Sequence, residues 1–151
     1  MTTGSCLCGA VRYEVAGPFD MMAHCHCSMC RKHHGAMFAT FASAPLAGFR
    51  WVSGEDQVVT YRSSEDGRRM FCRHCGSVTP TIMKEMGLVI VPAGNLEGDP
   101  GIRPQMHMFA ASRAPWASKR TVLRLARTSS LRRCRVTRPR INPARLITPP
   151  S

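Results

Sequence analysis

Val11, Tyr13 and Val15 alternate with Arg12 and Glu14, the period-two pattern of a strand with one buried face. Residues 36–42 (AMFATFA) and 57–62 (QVVTYR) are further strand candidates. Asp66-Gly67 separates the latter from Arg69-Met70-Phe71, a turn signal that predicts a hairpin. Gly87 precedes the continuous apolar run 88–91, which fits a buried strand, and residues 106–110 form a last candidate. Sustained helical periodicity is absent. The one helix expected is a turn or two after Ser28, with serine as its cap and Gly35 as its stop. The fold class is therefore mainly β, with one short helix.

The chain of 151 residues is of ordinary single-domain length. Its composition changes after Trp116. Residues 117–151 hold ten basic residues, no acid and four prolines, so they are expected to form a disordered or loosely attached tail. The expected division is a folded domain over 1–116 and a basic tail over 117–151.

That division changes the meaning of the net charge of +12. Residues 1–116 carry 11 basic and 9 acidic side chains, close to neutrality, and the tail carries the remaining +10. No basic face interleaved with aromatics is present in the body, which argues against nucleic acid as a partner; the rival reading is a non-enzymatic zinc-binding module that holds nucleic acid through the Arg-rich tail. Apolar runs such as 88–91 are too short to span a membrane. The opening MTTGSCLCGA has neither a basic n-region nor a continuous apolar core, so a cytoplasmic address is the default expectation.

The eight cysteines supply the chemistry. They fall as C-x-C (Cys6, Cys8), C-x-C-x-x-C (Cys25, Cys27, Cys30), C-x-x-C (Cys72, Cys75) and Cys134, the last a free thiol in the tail. Seven in the body and no targeting signal disfavour disulfides. Cys6 and Cys8, two apart on a strand, would project to one face, and a C-x-x-C turn converges its own two sulfurs. Together these pairs supply four thiolates, enough for one closed tetrahedral site. The triplet supplies three, leaving either an exchangeable fourth position or closure by a histidine, with His24, His26, His33, His34, His74 and His107 available. Soft thiolates favour zinc over magnesium or calcium, with iron the main competitor.

Three segments carry a family resemblance: Gly4-Ser-Cys-Leu-Cys-Gly-Ala-Val-Arg-Tyr13, Cys25-His-Cys-Ser-Met-Cys-Arg-Lys32 and Phe71-Cys-Arg-His-Cys-Gly-Ser77. Pro104-Gln-Met-His107 and Ser112-Arg-Ala-Pro-Trp116 extend it. With these residues the chain resembles the glutathione-dependent formaldehyde-activating enzymes, a family that includes the centromere protein V relatives. The resemblance implies a β-tent fold, small coiled β-sheets stapled by zinc. It implies two Zn²⁺ per chain: a structural ion on Cys6, Cys8, Cys72 and Cys75, and a catalytic ion on Cys25, Cys27 and Cys30. The activity implied is that of a carbon–sulfur lyase joining a small thiol such as glutathione to an aldehyde, reversibly, as S-hydroxymethylglutathione.

Zn²⁺ with three thiolates is formally −1, so it should acidify water less than a three-imidazole site, where the pKa falls to about 7. A thiol at the fourth position would still lose its proton. Arg31, Lys32 and His33 follow the triplet and are candidates for offsetting its charge, or for a solvated turn. Methionines 21, 22, 37 and 108 read as core filling, Trp51 and Trp116 as packing, and His107 as either a pocket or a core histidine. Family members continue past the Trp116 position with an acidic, aromatic-containing segment, whereas this chain stays basic, as translation in a shifted frame would produce.

Overall fold

Strand pairing dominates the computed structural model, which describes residues 1–117. The strands are β1 (Thr2–Ser5), β2 (Arg12–Val15), β3 (Met21–Cys25), β4 (Ala39–Pro45), β5 (Phe49–Ser53), β6 (Val58–Arg62), β7 (Arg68–Cys72), β8 (Thr81–Met83), β9 (Leu88–Pro92) and β10 (Met106–Met108). One α-helix, α1 (Ser28–His34), follows β3. The basic segment predicted over 117–151, with Cys134, lies outside the described residues apart from Ala117. No helix among the described residues is long and apolar enough to cross a membrane.

Among the described residues three sheets form, in the orders β1-β2-β5, β10-β3-β4-β9-β8 and β6-β7. All pairings are antiparallel except β10 on β3, where Met106, His107 and Met108 lie beside Ala23, His24 and Cys25. The first two sheets share a core of Tyr13, Val15, Phe19, Met22, Ala42, Ala44, Val89 and Val91. Val15, Val89 and Val91 are wholly buried, and each such valine contributes about 1.5–3 kcal/mol. β1 pairs closely with β2 because Gly4 lies against the Tyr13 ring, where a Cβ would collide with the phenol. A second cluster joins Cys6, Val11 and Cys72, with Val58, Trp51 and Cys75 packed around it. Trp51 touches both clusters and links the sheets to the cysteines.

The alternating pattern at 11–15 became β2, with Tyr13 and Val15 inward, and the apolar run became β9, paired on both edges. The hairpin formed at 66–67, between β6 and β7. Three expectations are corrected. The strand predicted over 36–42 begins only at Ala39, because α1 ends at left-handed Gly35 (φ 58°) and the chain spends residues 36–38 reversing. Ser28 is not the helix cap; Cys27 is, its sulfur accepting the Cys30 N–H. Cys6 and Cys8 lie not on a strand but in the turn between β1 and β2, closed by the Gly9 N–H donating to the Cys6 carbonyl at 2.9 Å.

Candidate metal centres

The turn carrying Cys6 and Cys8 meets the end of β7, where Cys72 closes the strand and Cys75 lies one turn on. The turn after Cys72 is held by the Gly76 N–H donating to the Cys72 carbonyl at 2.8 Å, and Gly9 and Gly76 both have positive φ, at 74° and 71°. A β-carbon at either glycine would force strain into the loop that aims the sulfurs. The four Sγ atoms lie within 4.8 Å of one another, Cys6 to Cys8 at 3.5 Å and Cys8 to Cys72 at 3.9 Å. A regular tetrahedron with metal–sulfur bonds of about 2.3 Å has edges of about 3.8 Å, so the donor set fits a zinc-sized thiophilic ion.

Backbone and hydroxyl groups surround these sulfurs. The Val11 N–H donates to Cys6 Sγ at 3.3 Å. Ser77 Oγ accepts the Leu7 N–H at 3.0 Å and lies 3.3 Å from Cys75 Sγ. Burial pushes the Cys8 thiol up to about 12, with the neighbouring thiols adding to the effect. Burial also raises Cys75, but hydrogen bonds from Ser77 and from Cys8 outweigh it and bring that thiol down to about 6. A metal-free cluster would thus hold protons that a cation displaces.

The second group is local. Cys25 ends β3, Cys27 caps α1, and Cys30 lies in the first helical turn, so one strand end and one helix start converge three sulfurs within 4.8 Å. Cys27 Sγ accepts the Cys30 N–H at 3.3 Å. Burial and the adjacent thiols push Cys30 up to about 12, and burial raises Cys25 as well. Burial acts in the same direction on Cys27, but hydrogen bonds from the Cys30 N–H and from the other two thiols prevail and lower it, with help from Arg69.

Among the described residues, no histidine or carboxylate joins either thiol group. The histidines have other partners. His24 Nδ1 lies 2.9 Å from Thr40 Oγ1, His26 Nε2 lies 2.8 Å from His107 Nδ1, and His74 Nε2 lies 2.7 Å from Gln57 Oε1. His107, left between pocket and core, thus sits on the surface over buried His26, their rings stacked at 5.1 Å. His33 and His34 line a cleft of about 380 Å³ together with Thr40, Ser77 and Asn95. Burial lowers the basicity of His24, His26, His33 and His34, the last to about 4. These imidazoles stay neutral near pH 7 and bring no positive charge to the triplet.

Arg31 turns back to donate from Nε to the His26 carbonyl at 3.2 Å, and Lys32 lines a separate cleft with Met37 and Trp116. The cation that reaches a triplet sulfur is one the sequence did not mark: Arg69 Nη1 lies 3.8 Å from Cys30 Sγ. Arg69 sits 39 residues from Cys30, on β7, and only the packing of the hairpin brings them together.

Residues 1–112 match the family model described as glutathione-dependent formaldehyde-activating enzyme. A Halomonas elongata protein provisionally named a glutathione-dependent formaldehyde-activating enzyme is 28% identical over 121 residues, covering 75% of this chain and 77% of its own length. An uncharacterized lyase of Schizosaccharomyces pombe is 31% identical over 74 residues, 49% of this chain and 52% of that protein. The crystal structure of a Rhodobacter sphaeroides protein superposes with a TM-score of 0.55 at 29% identity, covering 70% of this chain and 99% of that one.

Proposed function

Since the chain belongs to the glutathione-dependent formaldehyde-activating enzyme family, we propose that it is a zinc-dependent carbon–sulfur lyase acting reversibly on the adduct of a small thiol and an aldehyde. The observation that carries this reading is the asymmetry of the two thiol groups: four converging sulfurs in one, three in the other, with no histidine or carboxylate completing the second among the described residues. Cys6, Cys8, Cys72 and Cys75 would hold a structural ion that ties the N-terminal turn to the end of β7. Cys25, Cys27 and Cys30 would hold the catalytic one. Zinc bound there would supply a Lewis-acidic position at which a substrate thiol is taken up as its thiolate.

The reaction joins thiol sulfur to aldehyde carbon, and the proton that leaves the sulfur ends on the former carbonyl oxygen. No electron is exchanged with a cofactor. Cys25, at the end of a strand paired on both edges, and Cys27, fixed by its capping bond, give the triplet a rigid base. Glutathione and formaldehyde are the substrates carried over from the family name.

Metal content and exchange kinetics test the reading together. Zinc-replete protein should contain two ions per chain. It should also accelerate exchange between ¹³C-formaldehyde and its glutathione adduct, followed by NMR line broadening. Two tightly bound ions with no acceleration for any small thiol would leave a scaffold and sink the assignment.

A further inference from the structure

Arg69 is a half-buried cation that reaches a triplet sulfur, and its guanidinium is incompletely used. Nη1 lies 3.8 Å from Cys30 Sγ, and Nε is fully buried with no hydrogen-bond partner among the described residues. No carboxylate pairs with it: the ion pairs among the described residues are Arg12–Glu97, Arg50–Glu14 and Arg103–Asp99. A buried guanidinium N–H without an acceptor is costly, and such groups are retained where an anion arrives to complete them. Here the chemistry points one way. Three thiolates and a divalent cation sum to −1, and a fourth thiolate takes the centre to −2. The neighbouring His33 and His34 are held neutral, by burial foremost, and so cannot offset that charge.

We propose that Arg69 is a positioning residue of the three-thiolate site: it donates to Cys30 Sγ and offsets the negative charge added when a substrate sulfur arrives as an anion. The inference rests on the reading of the triplet as an open metal site. Arg69 reaches the site from β7, three residues before Cys72, so the strand that anchors the four-thiolate group also delivers the cation to the other. Guanidinium suits the task because it keeps its charge when partly buried and presents several donors in a fixed plane.

The test uses full-length protein loaded with two Co²⁺ per chain, whose thiolate-to-metal absorption reports each change at the sulfurs. Wild type, Arg69→Met and Arg69→Lys are titrated with 2-mercaptoethanol, which bears no carboxylate, and with glutathione. Arg69→Met should weaken binding of both thiols about tenfold, and Arg69→Lys should recover most of that loss. The second Co²⁺, in the four-thiolate group, should keep its spectrum in every variant and so reports intact folding. If Arg69→Met loses that signal, Arg69→Gln takes its place in the same titrations. Equal affinities in all variants would overturn the inference and leave the open site standing. A loss confined to glutathione would also overturn it, making Arg69 a carboxylate receptor. Absence of any thiol response in wild type would remove both the inference and the reading beneath it.

Discussion

Cys27 Sγ accepts the backbone N–H of Cys30 at 3.3 Å, so one proposed metal ligand also caps the helix that carries another. Ligation and capping can be separated, because serine is a good helix cap but a poor substitute for a thiolate on zinc. Cys27→Ser should therefore keep a native fold with one metal per chain instead of two. Cys27→Ala should lose the same ion and a further ~1 kcal/mol of stability for the missing cap. Elemental analysis and urea denaturation read both effects, and two ions retained in Cys27→Ser would exclude this sulfur from the site.

The two thiol groups should differ in what they hold together. The four-thiolate group joins segments more than 60 residues apart, whereas the triplet spans six residues of continuous chain. Cys72→Ser should lower the melting temperature by more than about 10 °C, well beyond the effect of Cys27→Ser. Equal melting temperatures would contradict separate structural and catalytic roles.

Metal uptake should depend steeply on pH. Cys8 and Cys30 are pushed up to about 12, chiefly by burial, so both keep their protons near neutrality when no metal is bound. A cation must displace those protons, hence affinity rises with pH and falls as the solution is acidified. With at least the protons of Cys25 and Cys30 released per ion at the triplet, the change is at least about a hundredfold per pH unit. Chelator competition at pH 6 and pH 7 gives the slope, and a flat profile would mean that the metal-free thiols are already ionised.

Histidine should prove dispensable for the metals. His24 is engaged with Thr40 and His26 with His107, outside both thiol groups. His24→Ala and His107→Ala should each retain two ions per chain and an all-sulfur shell by X-ray absorption of the protein without added thiol, apart from one light exchangeable ligand. Loss of one ion in either variant would identify that imidazole as the missing ligand.

Gly4→Ala should destabilise the fold by about 2 kcal/mol, because the added methyl enters the space of the wholly buried Tyr13 ring. Denaturation midpoints with unchanged m-values would report it, and a neutral effect would show that β1 can lift from β2.

The site was more legible in the sequence than the fold around it. Ligand spacing is local, so C-x-C, C-x-x-C and the triplet declared their grouping directly, and alternation exposed β2. Strands β1, β3, β5 and β8 left no such signal. β1 is TTGS, whose partner face is a glycine, and β3 is MMAHC, where cysteine and histidine occupy positions that apolar residues would fill. Their strand character comes from the strands they pair with and not from a pattern of their own. Arg69 escaped because its contact with Cys30 spans 39 residues of sequence, and no local pattern marks it.

The parallel placement of β10 on β3 sets an order of assembly during synthesis. The His26 N–H, between two triplet cysteines, donates to the Met108 carbonyl at 3.0 Å. That acceptor is made some 80 residues after its donor, whereas the four-thiolate group has all its sulfurs once Cys75 has emerged. On the ribosome the anchoring cluster can close first. The outer wall beside Cys25 arrives only with the final stretch of the described chain, so the three-thiol group is framed after the four-thiol group can already have closed.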